Sequence, residues 1–131
     1  MNVTVGDTLP ERSHTPDNVQ LMLYNAALWN GHRIHFDAPY ATDVEGYPGL
    51  VIAGPLLGDW LNQVVEIWLA DEGVLTSIEY SNRIACYIGE TLTAGGTVTQ
   101  VKGKEITIEV FIKNESGEIV TPGTARARIN G

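Results

Sequence analysis

Along residues 105–113 the chain alternates: Ile106, Ile108, Val110 and Ile112 are separated by Thr107, Glu109 and Phe111. A period of two puts every second side chain on one face, the mark of a half-buried strand. "TSIEYSNRIACYI", "TLTAGGTVTQV" and "EIVTPGTARARI" are similarly rich in Val, Ile and Thr and read as further strands. "KGK" and "NESGE" between the later segments are hairpin-grade turns.

The period changes in the first half. "GPLLGDWLNQVVEIWLADEG" spreads Leu57, Trp60, Leu61, Val64, Val65 and Trp68 over most of a helical circumference. Gly58, Asp59, Asn62, Gln63 and Glu66 form its one polar stripe. A helix apolar over more than half its girth is wrapped by other structure. Pro55 suits a first turn and Gly73 a stop, which predicts a central helix over residues 55–70. Upstream, Thr15 is the expected N-cap of another helix, with Pro16 in its first turn and Asp17 at the positive end of its dipole. Leu21, Tyr24, Ala27 and Leu28 give that helix one apolar face, and Asn30-Gly31 end it. Residues 31–53, punctuated by Pro39, Gly46, Pro48 and Gly49, read as an ordered loop with short turns. A loop that long inside a compact domain is more often functional than decorative. The pattern predicts an α+β fold: one domain over residues 1–131, with an antiparallel sheet from residues 74–129 around the central helix.

Composition narrows the partners. With 44% hydrophobic and 18% charged residues, the 131-residue chain suits one folded domain. A net charge of −8 argues against nucleic acid or an anionic membrane surface, though a few local cations can hold a small anionic ligand. Cys86 is the only cysteine and lies in the apolar run "RIACYIG", so it reads as core. The absence of an intrachain disulfide, of a basic-then-apolar start and of a long apolar run makes the cytoplasm the expected location.

Two of the three histidines fall in "LWNGHRIHFDAPYA", residues 28–41. Such a cluster serves a metal site, acid/base chemistry or a structural network. His32, His35 and Asp37 are the residues from which a metal site would be drawn, but no further ligand pair at zinc spacing accompanies them, and no metal is expected. Imidazole moves protons in either direction near neutral pH. Asp37-Ala38-Pro39 reads as a turn device that positions the loop.

"YNAALWNGHRIHFDAPYATDVEGYPGLVIAGPLLGDWL", residues 24–61, resembles the signature region of MaoC-like acyl dehydratases and (R)-specific enoyl-CoA hydratases. It is most similar to the branch of 3-hydroxyacyl-thioester dehydratases and mesaconyl-CoA hydratase. The resemblance implies a single hotdog fold, a long central helix wrapped by a twisted antiparallel sheet, in units that pair as dimers. It also implies addition or removal of water at the 2,3-double bond of an acyl thioester, enoyl-CoA to 3-hydroxyacyl-CoA, with no cofactor beyond the CoA or carrier-protein thioester itself. On this pattern His35 matches the catalytic histidine, and Asn30 stands where the wider family has an aspartate. Gly54 and Pro55 match the start of the central helix, where backbone N–H groups polarise the thioester carbonyl. Proline has no N–H, which leaves Gly54 and Leu56 as the candidate donors. His32 and Asp37 are candidate supporting residues, and Arg33, Arg126 and Arg128 candidate contacts for CoA phosphates.

Other readings remain open. The chain could be the motif-bearing subunit of a hetero-oligomeric hydratase whose related partner completes the pocket. It could be a hotdog thioesterase using Asp59 or Glu66, which would leave "NGHRIH" unexplained, or a non-catalytic acyl-thioester binding module.

Overall fold

The computed structural model describes all of residues 1–131. Helix α1, Asn18–Ala27, begins two residues later than expected: Asp17, not Thr15, is the N-cap, and its side chain accepts from Gln20 N at 2.8 Å. Thr15 is engaged elsewhere, its hydroxyl 2.9 Å from that of Thr91. The buried stripe of α1 is also shorter than the sequence suggests. Leu21 and Asn25 are buried and Tyr24 half-buried, whereas Ala27 and Leu28 are exposed.

A single 3-10 turn, Arg33–His35, and a π-turn, Tyr40–Val44, order the loop that follows. Helix α2, Gly54–Leu69, then runs through the middle of the molecule. Leu57, Trp60, Leu61, Val64 and Val65 are almost wholly buried along it. The helix ends at Ala70, which takes a positive φ of 51°, and not at Gly73, which opens a strand. A Cβ on Gly73 would lie 2.9 Å from the Arg128 carbonyl oxygen, so close approach explains the glycine there.

Five antiparallel strands clasp α2: β1 (Arg12–His14), β2 (Gly73–Tyr80), β3 (Leu92–Lys102), β4 (Glu105–Lys113) and β5 (Ile119–Ile129), in the order β1-β3-β4-β5-β2. Ile106, Ile108, Val110 and Ile112 face the helix as the alternation predicts. Two expectations fail. The stretch read as one strand to residue 88 pairs only as far as Tyr80, and β1 adds a fifth strand from the half read as helices and loops. Cys86 is buried, with 1% of its surface exposed. No helix is long and apolar enough to cross a membrane.

Candidate active site

The loop carrying the histidines is built by successive backbone hydrogen bonds. After α1, Trp29 adopts φ 56° and turns the chain back, so that Asn30 N donates to the Asn25 carbonyl at 2.8 Å. The Asn30 side-chain oxygen then accepts from His32 N at 3.1 Å, an Asx turn that launches the 3-10 turn. Asn30 Oδ1 is therefore engaged, and its NH2 group is the part free to hold a water.

His35, the third residue of that turn, is 8% exposed. Its Nδ1–H donates to the Val51 carbonyl oxygen at 2.7 Å, while Val51 N donates to the Ile34 carbonyl at 3.0 Å. A carbonyl oxygen only accepts, so Nδ1 carries a hydrogen, and Nε2 is the nitrogen left to exchange a proton with a substrate or water. Nε2 has no hydrogen-bond partner in the protein. Val51 lies three residues ahead of Gly54, so the same bond ties the imidazole to the lead-in of α2.

At that helix start, Ala53 is the N-cap and offers no side-chain acceptor. Leu56 N donates to the Ala53 carbonyl at 3.0 Å. Of the two expected backbone donors, Leu56 is thus occupied and Gly54 N–H is free. Beside Gly54 lies a residue the sequence did not reveal. A methyl group placed on Gly54 would overlap Asn82 Nδ2. The Asn82 amide, where it stands, occupies the space a side chain on Gly54 would take. No local pattern announces this contact, because Asn82 is oriented by Thr121, whose hydroxyl donates to Asn82 Oδ1 at 2.8 Å from 39 residues away in sequence.

Asn25 was also missed, although a polar residue four positions from Leu21 on a buried stripe is a readable signal. Its Nδ2 donates to the Leu21 carbonyl, and its Oδ1 is buried without a partner. With Ala26, Trp29, Asn30 and Gly31 it lines a recess of about 300 Å³.

The other candidates divide. His32 is exposed, its ring edge-on to that of His35 with centroids 5.7 Å apart. Asp37 braces the loop: Oδ2 accepts from Arg33 at 2.8 Å and Oδ1 from Tyr40 N at 3.2 Å. The Arg33 hydrogen bonds hold its carboxyl below the usual range. Arg33 also covers the Tyr40 ring at 4.2 Å, so its charge is already matched. Arg126 and Arg128 are exposed on the outer sheet face, and Arg128 lies 3.9 Å from Glu105. Strand β5 meets the far end of α2 there, through the Ile129–Gly73 pair. Within one chain the structure does not bring these two arginines to Gly54.

Of the two carboxylates a thioesterase would use, Glu66 is exposed on the second half of α2. Asp59 lies against Tyr24, whose phenol is held protonated above its usual range by burial and then by that carboxylate.

The comparisons agree with this architecture. In the curated mesaconyl-C(4)-CoA hydratase of Chloroflexus aurantiacus, 52% of residues are identical over 46 positions, 35% of this chain and 16% of that protein. The mitochondrial hydroxyacyl-thioester dehydratase type 2 of Schizosaccharomyces pombe is 44% identical over 52 positions, 38% of this chain and 17% of that protein. The chain thus matches about a sixth of the length of these two relatives. Among solved structures, the Mycobacterium tuberculosis ChsH1–ChsH2 complex has a chain that superposes with a TM-score of 0.89 at 21% identity, covering 98% of this chain and 100% of that one. The (R)-hydratase of A. caviae involved in PHA biosynthesis gives 0.89 at 17% identity, with 98% of each chain covered. At such identities the likeness shows the hotdog fold and nothing finer. The model of the hydroxyacyl-thioester dehydratase type 2 family, however, matches residues 4–88, the stretch that holds Asn30, His35, Gly54 and Asn82, and the chain belongs to that family.

Proposed function

We propose that the protein adds and removes water at the 2,3-double bond of an acyl thioester, interconverting an enoyl-CoA, or its carrier-protein equivalent, with the 3-hydroxyacyl form. One observation carries the reading: His35 Nδ1 is anchored to the Val51 carbonyl, which leaves Nε2 open, and the chain from Val51 leads three residues on to an unpaired Gly54 N–H. Family membership supports the same chemistry.

In hydration, Nε2 of His35 takes a proton from a water held by the Asn30 amide, and the oxygen attacks C3. The π electrons of the double bond move through C2 onto the thioester oxygen, and Gly54 N–H, at the positive end of α2, stabilises the enolate. The imidazolium then returns its proton to C2, and His35 is regenerated. Dehydration reverses each step. The thioester is the substrate, and no step needs a cofactor. His32 and Asp37 support the loop rather than the reacting atoms. Its lone cysteine, buried and unpaired, accords with a cytoplasmic setting.

Crotonyl-CoA, with several longer enoyl chains, tests the reading. Loss of enoyl absorbance without release of free thiol is expected. Thiol release would instead indicate hydrolysis, and the hydratase assignment would be withdrawn.

A second reading has its own support. Val19, Met22 and Leu23 leave an apolar face of α1 open, at 58%, 61% and 64% exposure. The similar M. tuberculosis protein is a complex of two different chains. A related hotdog chain seated on α1 would make this protein the motif-bearing half of a hetero-oligomer. In that case crotonyl-CoA is hydrated only after the partner is added.

A further inference from the structure

We propose that Asn82 is a second hydrogen-bond donor to the thioester carbonyl, acting beside Gly54 N–H, and that Thr121 is its positioning residue. The inference rests on the hydratase reading and names a further residue of the same site.

Beyond the end of β2 the chain stays clamped to β5. Ser81 N donates to the Pro122 carbonyl at 3.1 Å and Arg83 N to the Val120 carbonyl at 2.9 Å. Asn82, between these two anchors, turns its side chain toward Thr121 and α2. Thr121 is fully buried and directs its hydroxyl at Asn82 Oδ1. That bond leaves Asn82 Nδ2, with both of its hydrogens, on the Gly54 side of the amide, and no protein acceptor takes them. The amide therefore lies against the first residue of α2, whose own N–H has no partner in the chain.

His35 is tethered to the lead-in of the same helix start, through the Val51 carbonyl. It is more than nine-tenths buried, and its other ring nitrogen has no partner. An enolate oxygen accepts more than one hydrogen bond, and a single N–H leaves part of its charge unmatched. A preset amide donor supplies the second bond without reorganising during the reaction. The choice of amide over carboxylate follows from the same chemistry. An aspartate would accept equally well from Thr121, but it would set a negative oxygen against the developing enolate.

The experiment compares wild type with Asn82→Ala, Asn82→Asp and Thr121→Val in crotonyl-CoA hydration. It also measures binding of butyryl-CoA and of the S-butyl thioether of CoA, which lacks the carbonyl oxygen. Asn82→Ala should lower kcat by about 10²–10³, the usual effect of losing one such donor, and change KM less. Asn82→Asp should lose at least as much. Thr121→Val should fall between these variants and wild type. Butyryl-CoA should bind Asn82→Ala more weakly, while the thioether binds both proteins alike. Full turnover per folded molecule in Asn82→Ala would overturn the proposal, as would equal weakening of both ligands. Should the alanine variant fail to fold, Asn82→Asp, which keeps its bond to Thr121, carries the comparison. A wild type that hydrates none of the enoyl chains would unseat the hydratase reading, and the paired binding measurement would still decide Asn82.

Discussion

At His35 the two ring nitrogens have different environments, one held by a backbone carbonyl and one open. Replacing the ring by alanine removes the proton carrier, so kcat should fall by about 10²–10⁴. If His35 only braced the loop, melting temperature would drop and turnover per folded molecule would persist. Asn30→Asp keeps the oxygen that accepts from His32 N, so it should fold and keep or raise its activity; Asn30→Ala should lose activity more mildly than His35→Ala. Steady-state kinetics on the three variants distinguish these outcomes. His14 gives a separate prediction. Its ring stacks on Trp60 at 4.3 Å with 2° between planes, and its Nε2 is buried without a partner. Burial, and then the charge of Arg12, lower its pKa from the ordinary 6.5. The unfolded chain consequently takes up this proton at a higher pH than the folded one. Stability should fall as pH drops below that value and level off once the folded ring also protonates. Melting curves at stepped pH should show the decline, and His14→Phe should flatten it. Asn30 and His35 are visible in the sequence through its resemblance to the family motif, which is contained in a few consecutive residues. Asn82 is not, because only folding brings it to Thr121 and Gly54.

Among the elements, α2 and β4 are the easiest to read, since a strong helical or twofold period leaves a single face to bury. Strand β1 has three residues, too few for any period. The end of β2 is hidden for another reason: residues 81–88 keep an apolar, strand-like composition after their sheet pairing stops. The end of α2 falls where its period predicts, but the residue that stops it is Ala70 at a positive φ, not Gly73. That conformation favours glycine, whereas an L side chain there costs about 1–3 kcal/mol. After the larger unfolded-state entropy of glycine is subtracted, Ala70→Gly should stabilise the protein by about 1 kcal/mol. A higher urea midpoint at unchanged slope would bear this out. A lower midpoint would mean that the alanine methyl makes contacts worth more than the strain.

For the molecule as a whole, the sheet order leaves one side of β2 without a partner over Gly73–Tyr80. The strand contains neither lysine nor proline, the usual blocks to edge pairing. Together with the open face of α1, this predicts that the protein is not a monomer. Light scattering at micromolar concentration should give at least twice the 14.2 kDa of one chain. Full hydratase activity in a particle of single-chain mass would contradict the prediction. The sequence carries no periodicity for this level of structure, because association depends on which surfaces remain after folding.

Trp29, 95% exposed at the edge of the Asn25–Asn30 recess, offers an optical route to the same questions. Of the three tryptophans, Trp60 is sealed inside the fold and Trp68 is half-covered, so Trp29 meets water most fully. Its fluorescence should be the red-shifted component of the emission spectrum. An acyl chain entering the recess, or a second polypeptide covering α1, would displace that water and move the emission to the blue. Trp29→Phe supplies the blank, and unlabelled protein reports its own occupancy.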